Sequence, residues 1–252
     1  DIFTHVDGVA LGELSPDEMQ GLIQGERNTK MTITVLRGEE TLEIQVTRKA
    51  IHSKVAASAL LADDVGYIVI DNFHEGAAQD TIAEIESMMA QGATKLLFDV
   101  RNNPGGYVSE MVELLDYLLP AGPLFQSVSS AGLKGVEKSD ADCLKMPMAV
   151  LINGNTYSAA ELFAAVLVEY DWAVTVGTPT TGKAYYQKTI ELGDGSAVQL
   201  SIGAYTTPNG VNLTEVGGLT PDVQVDPAER ITSVEEDPQI MAAIQALNEE
   251  SM

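Results

Sequence analysis

Basic residues are scarce in this chain: 14 lysines and arginines stand against 37 aspartates and glutamates, a formal charge of −23. Such a surface repels the phosphates of nucleic acid and of anionic membranes, so no nucleic-acid partner is expected. Cysteine is scarcer still. Cys143 stands alone, which excludes an intramolecular disulfide but leaves the compartment open, because many exported bacterial chains also lack disulfides. The three histidines, His5, His52 and His74, are scattered, and neither CxxC nor HExxH spacing occurs. That argues against a histidine-built metal site. GxGxxG and GxxxxGK[ST] patterns are absent too, so nucleotide binding has no support and no cofactor is expected. No apolar run reaches the ~18–20 residues of a membrane span, and no signal peptide opens the chain. The first residues read as a strand entering a turn, as expected of a piece cut from something longer.

What the chain does have is apolar bulk, 45% of its residues, enough for a sizeable core. Residues 1–50 form one compositional unit. Short alternating strands flank a helix that opens at Ser15-Pro16, a cap followed by a first-turn proline. Residues 51–64 read as a connector, 65–235 as the main domain and 236–252 as a terminal amphipathic helix. Inside the main domain, Leu96-Leu97-Phe98-Asp99-Val100 and Met148-Ala149-Val150-Leu151-Ile152 are apolar runs, the first broken only by Asp99, as expected of strands buried on both faces. Helical periods follow each, so the pattern implies βαβ units and a mostly parallel sheet. Residues 120–145 read as loop, and strands with glycine turns are expected at 185–192, 197–205 and 211–213.

Three segments carry candidate chemistry. Ser158 sits where a buried strand gives way to a helix, so free backbone N–H groups and the helix dipole surround it. Those groups could stabilise an oxyanion beside a nucleophilic serine; equally, Ser158 or Thr156 could simply cap the helix. Lys183 follows Gly182 and has Ala184 and tyrosines beyond it rather than carboxylates. A lysine is a general base only where desolvation favours its neutral form; the alternative is an exposed strand lysine. Gln187 is four residues on, projecting from the same face if both lie on a strand. The third segment, Asn103-Pro104-Gly105-Gly106, lets backbone approach a ligand closely at a strand's carboxyl end, where open α/β sheets place their sites.

Taken in order, these segments resemble the carboxyl-terminal processing proteases, tail-specific serine peptidases with a PDZ domain. Leu97 to Gly106, Ser158-Ala159-Ala160-Glu161, Gly182-Lys183 with Gln187, Tyr205 to Gly210 and Gly218 to Asp222 are each similar to a family motif. The resemblance implies an α/β fold with a crotonase- or ClpP-like βαβ core and a C-terminal β-rich segment. It also implies that residues 1–50 are the C-terminal part of a PDZ domain, whose carboxylate-gripping loop would lie before Asp1. Ser158 becomes the nucleophile, Lys183 the base and Gln187 the orienting third member. Ala159 N–H and the N–H of Gly105 or Gly106 form the oxyanion hole. Substrates are then protein or peptide C-terminal regions, and the location is extracytoplasmic. The sequence departs from the family at Asn155-Thr156-Tyr157, where small residues are usual, and at Ala184, where glycine is. The rival readings are a non-catalytic peptide-binding scaffold and an acyl-CoA enzyme, the latter disfavoured by the acidic surface.

Overall fold

A computed structural model describes residues 1–49, 53–230 and 233–250, and the chain divides into two compact units at Ser53/Lys54. The first unit is a four-stranded antiparallel sheet in the order β2-β1-β3-β4, with β1 at Ile2–Val6, β2 at Val9–Ala10, β3 at Lys30–Arg37 and β4 at Glu40–Thr47. Helix α1, Pro16–Ile23, opens on a capping box in which Ser15 and Glu18 satisfy each other's backbone. The core of this unit is small, built on Val6, Leu11 and Met31.

The second unit alternates strand and helix as the apolar runs predict. Its elements are β5 (Ala56–Leu60), β6 (Val65–Ile70), α2 (Ala77–Ala90), β7 (Lys95–Asp99), α3 (Val108–Leu118), β8 (Gly122–Ser129), β9 (Lys134–Ser139) and β10 (Met148–Ile152). There follow α4 (Ala159–Glu169), β11 (Ala173–Gly177), β12 (Tyr185–Glu191), β13 (Ala197–Thr206), α5 (Leu213–Val216), β14 (Val223–Gln224) and α6 (Pro238–Glu250). The main sheet runs β14-β11-β10-β7-β6-β5, parallel throughout except for β5 at one edge.

Alternation along the central strands fills both faces. Leu96, Phe98, Met148, Val150 and Ile152 join the cluster beneath α2, α3 and α4, while Leu97, Ala149, Leu151 and Val176 meet Ile240, Ala243, Ile244 and Leu247 of α6. Phe163 of α4 locks the first cluster, its ring edge-on to Phe98 at 5.6 Å. Arg101 pins the start of α6 to the β7 exit: its guanidinium donates to Asp99, Asp237 and Gln239, and Tyr67 donates to Asp99 from the other side.

Four expectations need correcting. The stretch read as a connector is in part the edge strand β5, paired to β6; residues 51 and 52 lie outside the described residues. The folded unit therefore takes in more than 65–235, because β5 and α6 are integral to its sheet and core. Residues 120–145 hold the hairpin β8–β9, which joins β12 and β13 in a third sheet, β12-β13-β8-β9. No strand forms at 211–213; Asn212 instead caps the short helix α5 through its side chain. Among the described residues, no helix is long and apolar enough to cross a membrane.

Candidate active site

Two turns leave adjacent parallel strands at the same end of the sheet, one after β7 and one after β10, and side chains stitch them together. Asn103 is fully buried. Its amide donates to Ile70 O at 2.8 Å, its side-chain oxygen accepts the Gly105 N–H at 2.8 Å, and its carbonyl accepts the Tyr157 N–H at 3.2 Å. From the other turn, the buried Thr156 hydroxyl donates to Val100 O at 2.8 Å. Asn102, Asn153 and Asn155 close the outer rim with mutual side-chain hydrogen bonds. Hydrogen bonds of this buried kind fix the relative height of the turns.

Ser158 sits at the apex of the second turn with φ 60° and ψ −126°, a conformation costly for a residue with a Cβ. The strand–turn–helix context and the strain match a nucleophile elbow, in which the hydroxyl is thrust clear of the sheet. Ser158 N–H donates to the Glu161 carboxylate at 2.8 Å, so the carboxylate of the S-x-x-E pair supports the elbow backbone. Two backbone N–H groups near this turn, that of Ala159, next in the chain, and that of Gly106, in the same cleft, make no hydrogen bond among the described residues. Of the two glycines in the neighbouring turn, Gly105 has its N–H committed to Asn103, while Gly106 has not.

Both glycines are required by close approach. A Cβ on Gly105, at φ +84°, would stand 2.9 Å from Ala159 N and from Ser158 Cβ; one on Gly106, at φ +154°, would stand 2.3 Å from Phe73 O. Gly105→Ala is therefore expected to push the elbow away from the glycine turn and to cost about 1–3 kcal/mol of stability, as overpacking does. An unfolding midpoint equal to the wild type's, followed by circular dichroism, would show that the close approach is not needed.

Lys183 is half-buried in the segment leading into β12, not on the strand itself. Its Nζ lies 5.4 Å from the centroid of the Tyr157 ring, a cation–π distance. Among the described residues, no hydrogen bond joins that Nζ to Ser158 or to Gln187. Gln187 lies on β12 and donates to Tyr185 O at 3.1 Å. The same-face spacing expected for Lys183 and Gln187 does not hold as stated, because Lys183 precedes the strand and the β12–β13 register shifts between Tyr186 and Gln187. Both still reach one cleft.

That cleft has a volume of about 970 Å³ and takes in Gly105, Gly106, Ser158, Lys183 and Gln187. Aromatic rings dominate the rest of its wall, with Tyr107, Phe125, Tyr157, Tyr185, Tyr186 and Tyr205 all contributing. Among the described residues no group of His, Cys, Asp and Glu is arranged to hold a metal ion.

Two residues at the site carry roles that the sequence reading did not assign. Glu161 is fully buried and accepts four hydrogen bonds: from Ser158 N–H at 2.8 Å, Lys183 N–H at 2.9 Å, Gly182 N–H at 2.5 Å and the Thr180 hydroxyl at 2.6 Å. One carboxylate thus ties the elbow to the lysine segment. The S-x-x-E spacing could have flagged it as a cap partner, though not as the link to Lys183. Tyr205 donates to Lys183 O at 2.6 Å; it opens one of the segments similar to a family motif, but nothing in that segment points to a contact with Lys183.

Residues 64–225 match the family model described as Peptidase family S41. Among curated proteins, the chain is similar to the C-terminal processing peptidase, chloroplastic, of Tetradesmus obliquus, with 30% identity across 93% of this chain and 54% of that protein. It is also similar to a probable CtpA-like serine protease of Staphylococcus aureus, with 29% identity across 90% of this chain and 46% of that one. The chain therefore spans about half the length of these relatives. Among solved structures it resembles a photosystem II D1 C-terminal processing protease, with 27% identity and a TM-score of 0.63 over 92% of this chain and 65% of that one. It shares its fold with a putative S41 protease from Bacteroides fragilis at 15% identity and a TM-score of 0.65, over 98% of this chain and 72% of that one. The matched segment takes in both turns, the cleft and nearly all of the main sheet, and on that basis the chain belongs to peptidase family S41.

Proposed function

We propose that the second unit is a serine endopeptidase that cuts C-terminal regions of protein substrates through a Ser–Lys acyl-enzyme. The observation that carries this is the strained Ser158 elbow beside two uncommitted donors, Ala159 N–H and Gly106 N–H. In this mechanism the neutral Lys183 amine takes the Ser158 proton as Oγ attacks the substrate carbonyl carbon. The two N–H groups hold the resulting oxyanion. Collapse breaks the peptide C–N bond, Lys183 returns the proton to the leaving amine, and an ester remains on Ser158. Water, deprotonated by Lys183, then hydrolyses the ester and restores the hydroxyl. Gln187, on the cleft wall, orients the lysine in the engaged state. For Lys183 to engage, its side chain swings from the Tyr157 ring to Ser158 about its own torsions.

The rest of the reading rests on resemblance. The strand–helix–strand order of the first unit supports a partial PDZ domain, and the second unit suits a crotonase- or ClpP-like core. We place the protein outside the cytoplasm on the same ground, with protein chains as its partners.

The test is covalent. A serine-directed phosphonate is expected to leave a single adduct on the peptide containing Ser158, located by mass spectrometry. No adduct, or an adduct elsewhere, would favour a non-catalytic peptide-binding protein that keeps the cleft, a reading to which the Lys183–Tyr157 contact lends some weight.

A further inference from the structure

We propose that Tyr205 is a positioning residue for the Ser158–Lys183 pair, fixing the backbone of the proposed base through its phenolic hydroxyl. The inference rests on the Ser–Lys reading of the cleft. Tyr205 lies near the end of β13, 3% exposed, its ring edge-on to Phe125 at 6.3 Å. A tyrosine retained for packing could send its hydroxyl to any acceptor. This one donates to the carbonyl of the proposed base, at 2.6 Å.

The peptide groups on either side of the Lys183 Cα are pinned. On the N-terminal side, Lys183 N–H donates to Glu161 at 2.9 Å. On the C-terminal side, Lys183 O accepts from Tyr205 and Ala184 N–H donates to the Thr214 hydroxyl at 2.9 Å. The Tyr205 N–H adds a further bond, to Ala184 O, at 3.0 Å. With Cα held in this way, only the lysine's own side-chain torsions remain to carry Nζ to the nucleophile. Each torsion left to search costs entropy at the moment of reaction, so holding the stem shortens the search.

Burial pushes the Tyr205 phenol above its ordinary value. The phenol therefore stays protonated and keeps its hydrogen bond to Lys183 O.

The experiment is Tyr205→Phe in the full chain, which keeps the ring and its edge-on contact and deletes the hydroxyl. Steady-state cleavage of an unfolded reporter protein and the rate of phosphonate labelling at Ser158 are measured together with thermal unfolding. The expected result is a kcat lowered roughly 10- to 100-fold, a KM within about twofold, and a labelling rate that falls in parallel. Thr214→Val, which releases the same peptide from its other side, is the second variant and should shift kcat in the same direction. Unchanged kcat and labelling in both variants would overturn the proposal, as would a rise in KM with kcat intact, which would make Tyr205 a substrate contact. A wild-type chain whose Ser158 takes no phosphonate would instead overturn the Ser–Lys reading beneath it.

Discussion

Ser158→Ala and Lys183→Ala should each lower kcat/KM on an unfolded reporter by about 10⁴-fold or more, and the double variant should lose no more than either alone. In the proposed mechanism the two groups act as one device. There Ser158 supplies the oxygen that becomes the ester, and Lys183 removes the proton that would otherwise block attack; without either, the other has nothing to do. A 10⁴-fold loss is about 5.4 kcal/mol of transition-state stabilisation. On the same proposal, what survives comes from the Ala159 and Gly106 donors and from substrate binding, which do not depend on the pair. Lys183→Arg separates base from charge: arginine keeps the positive charge but cannot give up its proton in a protein, so it should be as inactive as alanine. Wild-type-like turnover in Lys183→Arg would show that position 183 supplies only charge. Additive losses in the double variant would show that the two residues work independently.

The core frame was legible because its signals are local. The apolar runs at 96–100, broken only by Asp99, and at 148–152 read as strands buried on both faces, and strands form at Lys95–Asp99 and Met148–Ile152, with α4 packed after the second. The glycine pair at 105–106 announced a close approach of backbone, and the Cβ distances show what it approaches. The hairpin β8–β9 was not legible. Its second strand, Lys-Gly-Val-Glu-Lys-Ser, is exposed at five of six positions, so it offers no alternation to read; pairing with β8 makes it a strand. The site divides the same way. Ser158 at a strand-to-helix turn can be seen in sequence. Which glycine N–H is free cannot, because that depends on where the Asn103 side chain turns. Nor can the reach of Gln187, since a register shift in the neighbouring strand sets the face it presents. Glu161 and Tyr205 escape for one reason: each gains its role from a partner brought in by the fold, 22 residues away in both cases.

Glu161→Ala is expected to cost about 3–4 kcal/mol of stability and to lower kcat about 10²-fold, with Glu161→Gln intermediate. Alanine leaves three buried or half-buried N–H groups, those of Ser158, Gly182 and Lys183, without an acceptor, and frees the Thr180 hydroxyl. Each orphaned donor costs about 1–3 kcal/mol, and neighbouring losses of this kind do not add in full. Glutamine is the sharper probe, because it keeps the shape and changes only one oxygen. If the amide nitrogen takes the Oε2 position, it faces the N–H groups of Ser158 and Lys183, two donors it cannot satisfy. If it takes Oε1, it can donate to the Thr180 oxygen but still faces the Gly182 N–H. The second orientation is the cheaper one, so Glu161→Gln should spare the elbow and disturb the lysine segment at Gly182. Its unfolding midpoint should fall by roughly 4–8 °C, against on the order of 10 °C for alanine. Calorimetry reads the stability difference, and kcat with phosphonate labelling reads the alignment. If Glu161→Gln matched the wild type in both, the carboxylate would not be what holds nucleophile and base in register. If stability fell while kcat held, Glu161 would be a brace for the fold alone, and the register of Ser158 with Lys183 would have to be set by the Tyr205 and Asn103 contacts.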